Sequence, residues 1–169
     1  RHVFHLDLIE KYVPSAKIIH IIRQPEDVIA SMYELSLKYP RQIWSRKYRD
    51  INYCIETWID AVQSTLEYKR KENHKIITYT NLILNPQKTV SDLCAFMGIP
   101  YEPNMLLNYQ HQKEVIIKNA VEIDKNDVFQ PLSLRSNKFT LLFNSSQQKN
   151  IQKQLEKLFP HFDEFSTNP

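Results

Sequence analysis

Glycine is almost absent from this chain: of its 169 residues, only Gly98 is a glycine. Loops that wrap closely around a phosphate, such as the Walker A loop and the dinucleotide-binding loop, need several glycines at fixed positions. The sequence therefore excludes both loops, and it also excludes the glycine-flanked serine of the nucleophile elbow. A phosphate bound by these residues would be bound without a glycine cradle.

Cysteine, long apolar runs and excess charge are also scarce. Cys54 and Cys94 are too few for a disulfide scaffold and match no zinc spacing, so we expect two buried free thiols. No apolar run is long enough for a transmembrane helix, and the start has no signal-peptide pattern. The net charge of +3 is too small to indicate a nucleic-acid partner, although it is compatible with an anionic ligand. The compartment stays open, with the cytoplasm favoured.

Hydrophobic periodicity predicts an alternation of helices and strands. The β-branched run from Lys17 to Ile22 is typical of a buried parallel strand, and a second strand is predicted from Lys75 to Thr78. Mostly loop is expected between Gln110 and Asn144. Helices are predicted before Pro14, from Pro25 to Pro40, from about Lys47 to Lys71, from Asn85-Pro86 to Gly98, and from about Ser145 to Leu158. This order predicts one α/β domain over residues 1–169 with a parallel sheet, of which two strands are only a part.

The junction between the first strand and the next helix contains the residues of this chain that are best suited to bind a ligand. Arg23 lies at the carboxyl end of the strand, where open α/β sheets bind their ligands, and the following helix N-terminus favours an anion. Ser31 follows about two helical turns later. A guanidinium and a hydroxyl that converge there would suit a phosphate monoester. The alternative is an ion pair of Arg23 with Glu26 or Asp27 and a surface role for Ser31, and spacing alone does not decide between the two.

The segment I-I-H-I-I-R-Q-P-E-D-V-I-A-S-M-Y, residues 18–33, resembles the 3′-phosphate-binding segment of sulfotransferases that use 3′-phosphoadenosine 5′-phosphosulfate (PAPS). The resemblance implies a P-loop-like sulfotransferase fold. It also implies that Arg23 and Ser31 bind the 3′-phosphate of PAPS or of its product, 3′-phosphoadenosine 5′-phosphate (PAP). No metal cofactor is implied.

Two further segments resemble the same family. Residues 77–100 are similar to its Y-E-D-L segment and the following helix, which implies that Tyr79 lies near the adenine, although Thr80 and Asn81 replace the usual acidic pair. Residues 131–143 are weakly similar to a basic loop that closes over the nucleotide. That match implies phosphate contacts from Arg135 or Lys138, with a solvated basic loop as the alternative.

The family binds the 5′-phosphosulfate in a loop after its first strand, and nothing before Arg23 matches that loop. We therefore expect this chain to be the C-terminal part of a sulfotransferase domain, inactive alone, with the N-terminal part as its partner. The chain starts with Arg1 rather than methionine, which agrees with that expectation. Relatives use a histidine upstream of this strand as the general base, so the resemblance implies His2 as the catalytic residue.

Several alternatives stay open at this point. The acceptor of the sulfuryl group is a small molecule, a carbohydrate or a protein. A catalytically inactive nucleotide- or protein-binding module is the second interpretation, and a fragment of a P-loop kinase is the third. A metal site of His2, His5 and His20 is not expected, because no carboxylate or cysteine completes it. Aromatic residues of the long helix region are interpreted as packing residues rather than acceptor-pocket walls: Trp44, Tyr48, Tyr53 and Trp58.

Overall fold

The structure is a computed structural model that describes residues 2–107 and 137–159. The chain divides into two compact units, one made of residues 1–80 and 135–169 and the other of residues 81–134. Whether they form the single domain predicted from the sequence stays a prediction. The described helices, in chain order, are α1 (Leu6–Tyr12), α2 (Pro25–Lys38), α3 (Ile43–Arg46), α4 (Ile51–Glu67), α5 (Tyr79–Leu84), α6 (Pro86–Met97), α7 (Asn104–Leu107), α8 (Lys138–Leu142) and α9 (Ser145–Leu158).

The two described strands form a small parallel sheet. Strand β1 is Ile18–Ile22 and strand β2 is His74–Thr78, and their register runs from Ile18 opposite His74 to Ile22 opposite Thr78. Parallel strands need a long crossover connection, which α2, α3 and α4 provide here. The predicted α/β class with parallel strands is therefore confirmed.

The core of the first unit lies where α2, α4 and α9 pack together. Ile29 of α2, Ile55 of α4 and Ile151 of α9 are completely buried, and Ile22 of β1 joins the same cluster. Each of these helices therefore contributes an apolar face to the core. Trp58 also belongs to this core, which agrees with its interpretation as a packing residue.

Helix α4 is shorter than the predicted span from Lys47 to Lys71. A 3-10 turn at Lys47–Arg49 comes first, and the helix begins after Asp50, whose side chain accepts a hydrogen bond from the backbone N–H of Asn52. An aspartate in this position satisfies an N–H group that has no partner inside the helix, so it sets the start. The short helix α3 was not predicted, because four residues are too few to show a helical period.

Two structural predictions near helix ends are confirmed. Helix α6 ends at Gly98, which has a left-handed conformation with φ of 77°. Helix α9 begins at Ser145, where the side chain of Asn144 accepts a hydrogen bond from the backbone N–H of Gln147, and the Gln147 side chain accepts one from the backbone N–H of Asn144.

Both cysteines are buried and free, as predicted. Burial raises the pKa of the Cys54 thiol to about 12, and the nearby charge of Asp50 acts in the same direction. Cys54 therefore stays protonated and unreactive at neutral pH.

Two further results concern loops and membranes. The predicted loop from Gln110 to Asn144 lies mostly outside the described residues, and its described part contains the short helix α8. No helix within residues 2–107 and 137–159 combines the length and the apolar character that crossing a bilayer requires.

Replacement of Ile29 by alanine should lower the free energy of unfolding by about 2–5 kcal/mol, because it leaves a cavity in a fully buried position. Urea denaturation followed by circular dichroism measures this loss. Ile43→Ala is the matched control, since the Ile43 side chain is 83 % exposed, and it should change stability by less than about 0.5 kcal/mol. Equal effects of the two substitutions would contradict this description of the core.

Candidate functional site

Arg23 directly follows β1 and directly precedes the N-terminal region of α2. The indole Nε1 of Trp58 donates a hydrogen bond to the backbone carbonyl of Arg23 over 3.2 Å, so the long helix α4 fixes the backbone at this point. The residue therefore occupies the carboxyl end of the strand, as the sequence predicts. That end of a parallel strand is where α/β sheets bind ligands.

The guanidinium of Arg23 forms an ion pair with Asp27 in the first turn of α2. Both Nε and Nη2 donate to Oδ2 of Asp27, over 3.1 Å and 3.0 Å. The alternative left open by the sequence, an Arg23–Asp27 pair, is thus present. The pair does not occupy the whole guanidinium, because Nη1 makes no hydrogen bond among the described residues and the side chain is 37 % exposed. Asp27 orients the group and leaves its outer edge available for an anion.

Tyr79 lies against the same guanidinium. The central carbon of the Arg23 guanidinium lies 4.6 Å from the centre of the Tyr79 ring, a cation–π contact. The register explains the contact, because Ile22 lies opposite Thr78 and the residues that follow each strand are neighbours. Tyr79 is the first residue of α5 rather than the last residue of the strand. The structure therefore brings together two of the residues that the sequence singled out.

Ser31 lies on a face of α2 whose residue Glu34 contacts Lys138 of α8. Asp27, Ser31 and Glu34 are spaced by four and three residues, so their side chains share that face. Lys138 at the start of α8 forms an ion pair with Glu34 over 2.5 Å. Ser31 is exposed, and its hydroxyl has no hydrogen-bond partner in the described parts of the chain. Its exposed position thus falls between two cation–carboxylate pairs.

The other predicted site residues divide into two groups. Arg135 lies outside the described residues. His2 is exposed, in a 3-10 turn at His2–His5, and it lines a cavity of about 360 Å³ that Arg23 also lines. The remaining walls of this cavity are mostly apolar and come from α1, β1 and α4, with His20 and Thr65 as further polar groups.

A buried chain of polar side chains reaches the same cavity. The His20 Nε2 and His74 Nδ1 atoms are 2.8 Å apart, and His74 Nε2 is 3.1 Å from a carboxylate oxygen of Glu10. The other oxygen of Glu10 accepts a hydrogen bond from Lys71 over 2.5 Å. The ring of Tyr68 stacks on His74 at 4.8 Å between ring centres. We refer to Glu10, His74 and His20 as the histidine chain.

Sequence analysis missed the histidine chain, because its members come from three elements that only the fold brings together. His20 lies inside the predicted first strand, and this polar residue within a β-branched run was the available signal, whereas His74 precedes the predicted start of the second strand at Lys75. Burial, followed by the charge of His74, lowers the pKa of His20. The hydrogen bond from Lys71 is the main cause that lowers the pKa of Glu10.

No three histidine, cysteine, aspartate or glutamate side chains within the described ranges group around a point where a metal ion could be bound. His2, His5 and His20, which the sequence analysis considered together, do not form such a group. The histidine chain is linear, and both nitrogens of His74 already face partners.

The profile of the sulfotransferase family matches residues 1–103. The sequence is 29 % identical over 108 residues to a guinea-pig 3-beta-hydroxysteroid sulfotransferase, which is 58 % of this chain and 38 % of that protein. It is 33 % identical over 92 residues to human sulfotransferase 2B1, which is 50 % of this chain and 25 % of that protein.

The fold is also similar to a solved structure, that of mouse sulfotransferase SULT7A1 complexed with PAP. The TM-score is 0.69 at 19 % sequence identity, and the match covers 94 % of this chain and 63 % of the mouse chain. This likeness confirms the expected type of fold. The chain spans less than two thirds of the length of each of these proteins.

The histidine chain predicts that the protein loses stability as the pH falls below about 6.5, the ordinary pKa of histidine. The lowered pKa of His20 means that the unfolded chain takes up a proton in this range before the folded chain does, so acid favours unfolding. Urea denaturation at pH 7.5, 6.5 and 5.5 measures the effect, which one proton limits to about 1.4 kcal/mol per pH unit.

His20→Gln should reduce this slope of stability against pH, whatever it does to the absolute stability. His5→Gln is the matched control, because His5 is exposed in the first turn, and it should leave the slope unchanged. A slope that is the same in His20→Gln as in the unmodified chain would contradict the assignment.

Proposed function

Because this chain belongs to the sulfotransferase family, we propose that it forms the 3′-phosphate and adenine side of a PAPS site. The reaction is transfer of a sulfuryl group from PAPS to a hydroxyl or amine acceptor. The observation that carries the proposal is the environment of Arg23, whose guanidinium is oriented by Asp27, covered on one face by Tyr79 and open at Nη1. A fixed guanidinium edge of this kind suits the planar pairs of acceptor oxygens on a phosphate.

Each residue has a defined part in this proposal. Arg23 binds the 3′-phosphate through its open edge, and Ser31 donates its hydroxyl to the same group from the next turn of α2. Tyr79 contacts the adenine side. Lys138 reaches the phosphate after exchange of its partner Glu34 for the anion, and Arg135 is a further candidate from the same segment.

PAPS, when bound, supplies the sulfuryl group, and PAP is the product that leaves. Charge stabilisation and positioning account for most of the acceleration in this type of in-line transfer. His2 is the proposed general base, because it lines the same cavity as Arg23 and would accept the proton of the acceptor group there. We place the 5′-phosphosulfate loop outside this sequence, so sulfuryl transfer by these residues alone is not expected. No metal ion takes part in the proposed reaction.

One observation favours the second candidate, a nucleotide- or protein-binding module without catalysis. Both described cations of the proposed phosphate site, Arg23 and Lys138, already form ion pairs with carboxylates of α2. A binding module without catalysis could use these two ion pairs only to stabilise its fold. Incubation of a protein that contains this chain with PAPS and a panel of alcohols, phenols, amines and carbohydrates separates the two, because only the enzyme forms a sulfated product.

We predict that PAP binds more tightly than adenosine monophosphate, which lacks the 3′-phosphate. Arg23→Ala should weaken PAP binding by about 10-fold to 100-fold, since charge-assisted hydrogen bonds are lost, and Ser31→Ala should weaken it by several-fold. Neither substitution should change the binding of adenosine monophosphate. Isothermal titration calorimetry measures both affinities.

Arg49→Ala is the control for the charge, because Arg49 is an exposed arginine of the same unit and its loss changes the net charge equally. It should reduce PAP affinity by less than about 2-fold, the size expected of an exposed charge that solvent and salt screen. Equal affinities of the unmodified protein for PAP and adenosine monophosphate would remove the 3′-phosphate assignment.

A further inference from the structure

The histidine chain takes no part in the nucleotide contacts proposed above, yet it ends in the cavity that Arg23 and His2 also line. His20 and His74 lie on the sheet face that the helices cover, since His20 shares its face with Ile22 of the core. The His74 side chain is completely buried and His20 is 7 % exposed. Burial of two imidazoles costs folding free energy unless each buried ring nitrogen has a hydrogen-bond partner.

The directions of the hydrogen bonds follow from the carboxylate. Glu10 is ionised at neutral pH because its pKa is lowered, so it can only accept, and Nε2 of His74 must donate to it. Neutral His74 therefore has a bare Nδ1, which accepts a hydrogen bond from Nε2–H of His20. It follows that Nδ1 of His20 has a free lone pair.

That lone pair faces accessible space. In the described residues, every buried side-chain nitrogen or oxygen has a hydrogen-bond partner. Nδ1 of His20 has no hydrogen-bond partner among them, so it is not fully buried, and His20 is one of the residues that line the cavity of about 360 Å³. The chain thus leads from Glu10, through two imidazoles, to a proton-accepting nitrogen at the cavity wall.

We propose that Glu10, His74 and His20 form a proton relay in which His20 accepts a proton from a hydroxyl group bound in the cavity. Nδ1 of His20 takes the proton, Nε2 of His20 passes its own proton to Nδ1 of His74, and His74 becomes an imidazolium beside the Glu10 carboxylate. His20 returns to a neutral form with the proton on Nδ1. The hydroxyl oxygen keeps its electron pair.

The surroundings favour this direction of transfer. Burial disfavours a positive charge on His20, so the proton moves to the ring that contacts a carboxylate. The ionisable groups that face the pair from the packed elements are Glu10 of α1 and, beyond α4, Tyr68 and Lys71. His2 and Arg23 line the same cavity as His20, and Lys75 of β2 has its side chain on the opposite face of the sheet by strand alternation.

The consequence for catalysis rests on the proposed function. The released electron pair would form the new O–S bond to the sulfuryl group of PAPS as the bond to PAP breaks. His20 is then a second proton acceptor in addition to His2. It differs from His2 because its hydrogen-bond partner His74 contacts the carboxylate of Glu10. His74 and Glu10 are positioning residues, because they act on the acceptor only through His20.

The first test is a pH titration of the ¹⁵N-labelled full chain between pH 5 and 8, with Glu10→Gln as the variant. Glu10 lies at the surface end of the chain, so its substitution keeps the buried pair in place. Long-range ¹H–¹⁵N correlation spectra report the protonation of each imidazole nitrogen. We expect one proton uptake shared by His20 and His74, and Glu10→Gln should shift its midpoint down by about one pH unit at both rings.

Asp92→Asn is the matched control, because it removes a carboxylate from another lysine ion pair, Lys88–Asp92, and it should leave the shared midpoint unchanged. Two independent midpoints for the histidines would overturn the relay. A shift in Glu10→Gln that is confined to His74 would overturn it as well.

The second test uses an active protein that contains this chain. In Glu10→Gln, the acidic limb of the pH profile of kcat/KM should move by the same amount as the midpoint, while the dissociation constant of PAP stays unchanged. A profile that does not move in an active enzyme overturns the relay and leaves the proposed function intact.

Loss of the difference between PAP and adenosine monophosphate in the binding experiment would instead remove the proposed function, while a shared titration of the two histidines would still support the relay.

Discussion

The parallel pairing of β1 with β2 is the constraint on which both proposed sites depend. Because Ile22 lies opposite Thr78, the residues that leave the two strands, Arg23 and Tyr79, emerge side by side. The same register and the same face of the sheet bring His20 next to His74. A shift of one residue would turn every side chain of one strand to the other face, and it would separate both pairs at once.

The two described cations of the proposed phosphate site are both neutralised by carboxylates of one helix. Helix α2 supplies the counter-charges for both cations, with Asp27 for Arg23 and Glu34 for Lys138. The two ion pairs differ in how much of the cation they leave available to bind an anion. Asp27 takes Nε and one side of the guanidinium and leaves Nη1 open, so Arg23 can bind a phosphate without losing its partner. Lys138 presents a single ammonium group, so its use requires that Glu34 share it or release it.

Local signals made most of the fold predictable. The β-branched runs, the proline at the start of α2 and the lone Gly98 each dictate a conformation within a few residues. The predicted start of α4 near Lys47 is too early, because the helix begins at Ile51 and its start is set by the hydrogen bond of the Asp50 side chain, which apolar periodicity does not record. At the candidate site, the family resemblance singles out Arg23, Ser31 and Tyr79, but the choice of Asp27 over Glu26 as the ionic partner depends on the side-chain geometry at the first turn of α2.

The histidine chain was beyond sequence reasoning for a different reason, and that reason bears on its interpretation. Glu10 and His74 are 64 residues apart, and no local pattern connects them. A pair of β-branched or aromatic residues in place of His20 and His74 would satisfy the strand pattern of this sheet and remove the burial cost of two imidazoles. Packing therefore does not account for a linear arrangement in which His74 is bonded on both sides and His20 keeps one nitrogen for the cavity. A proton path accounts for each of these features, because transfer along the chain needs a donor and an acceptor on each imidazole and a fixed carboxylate at the far end.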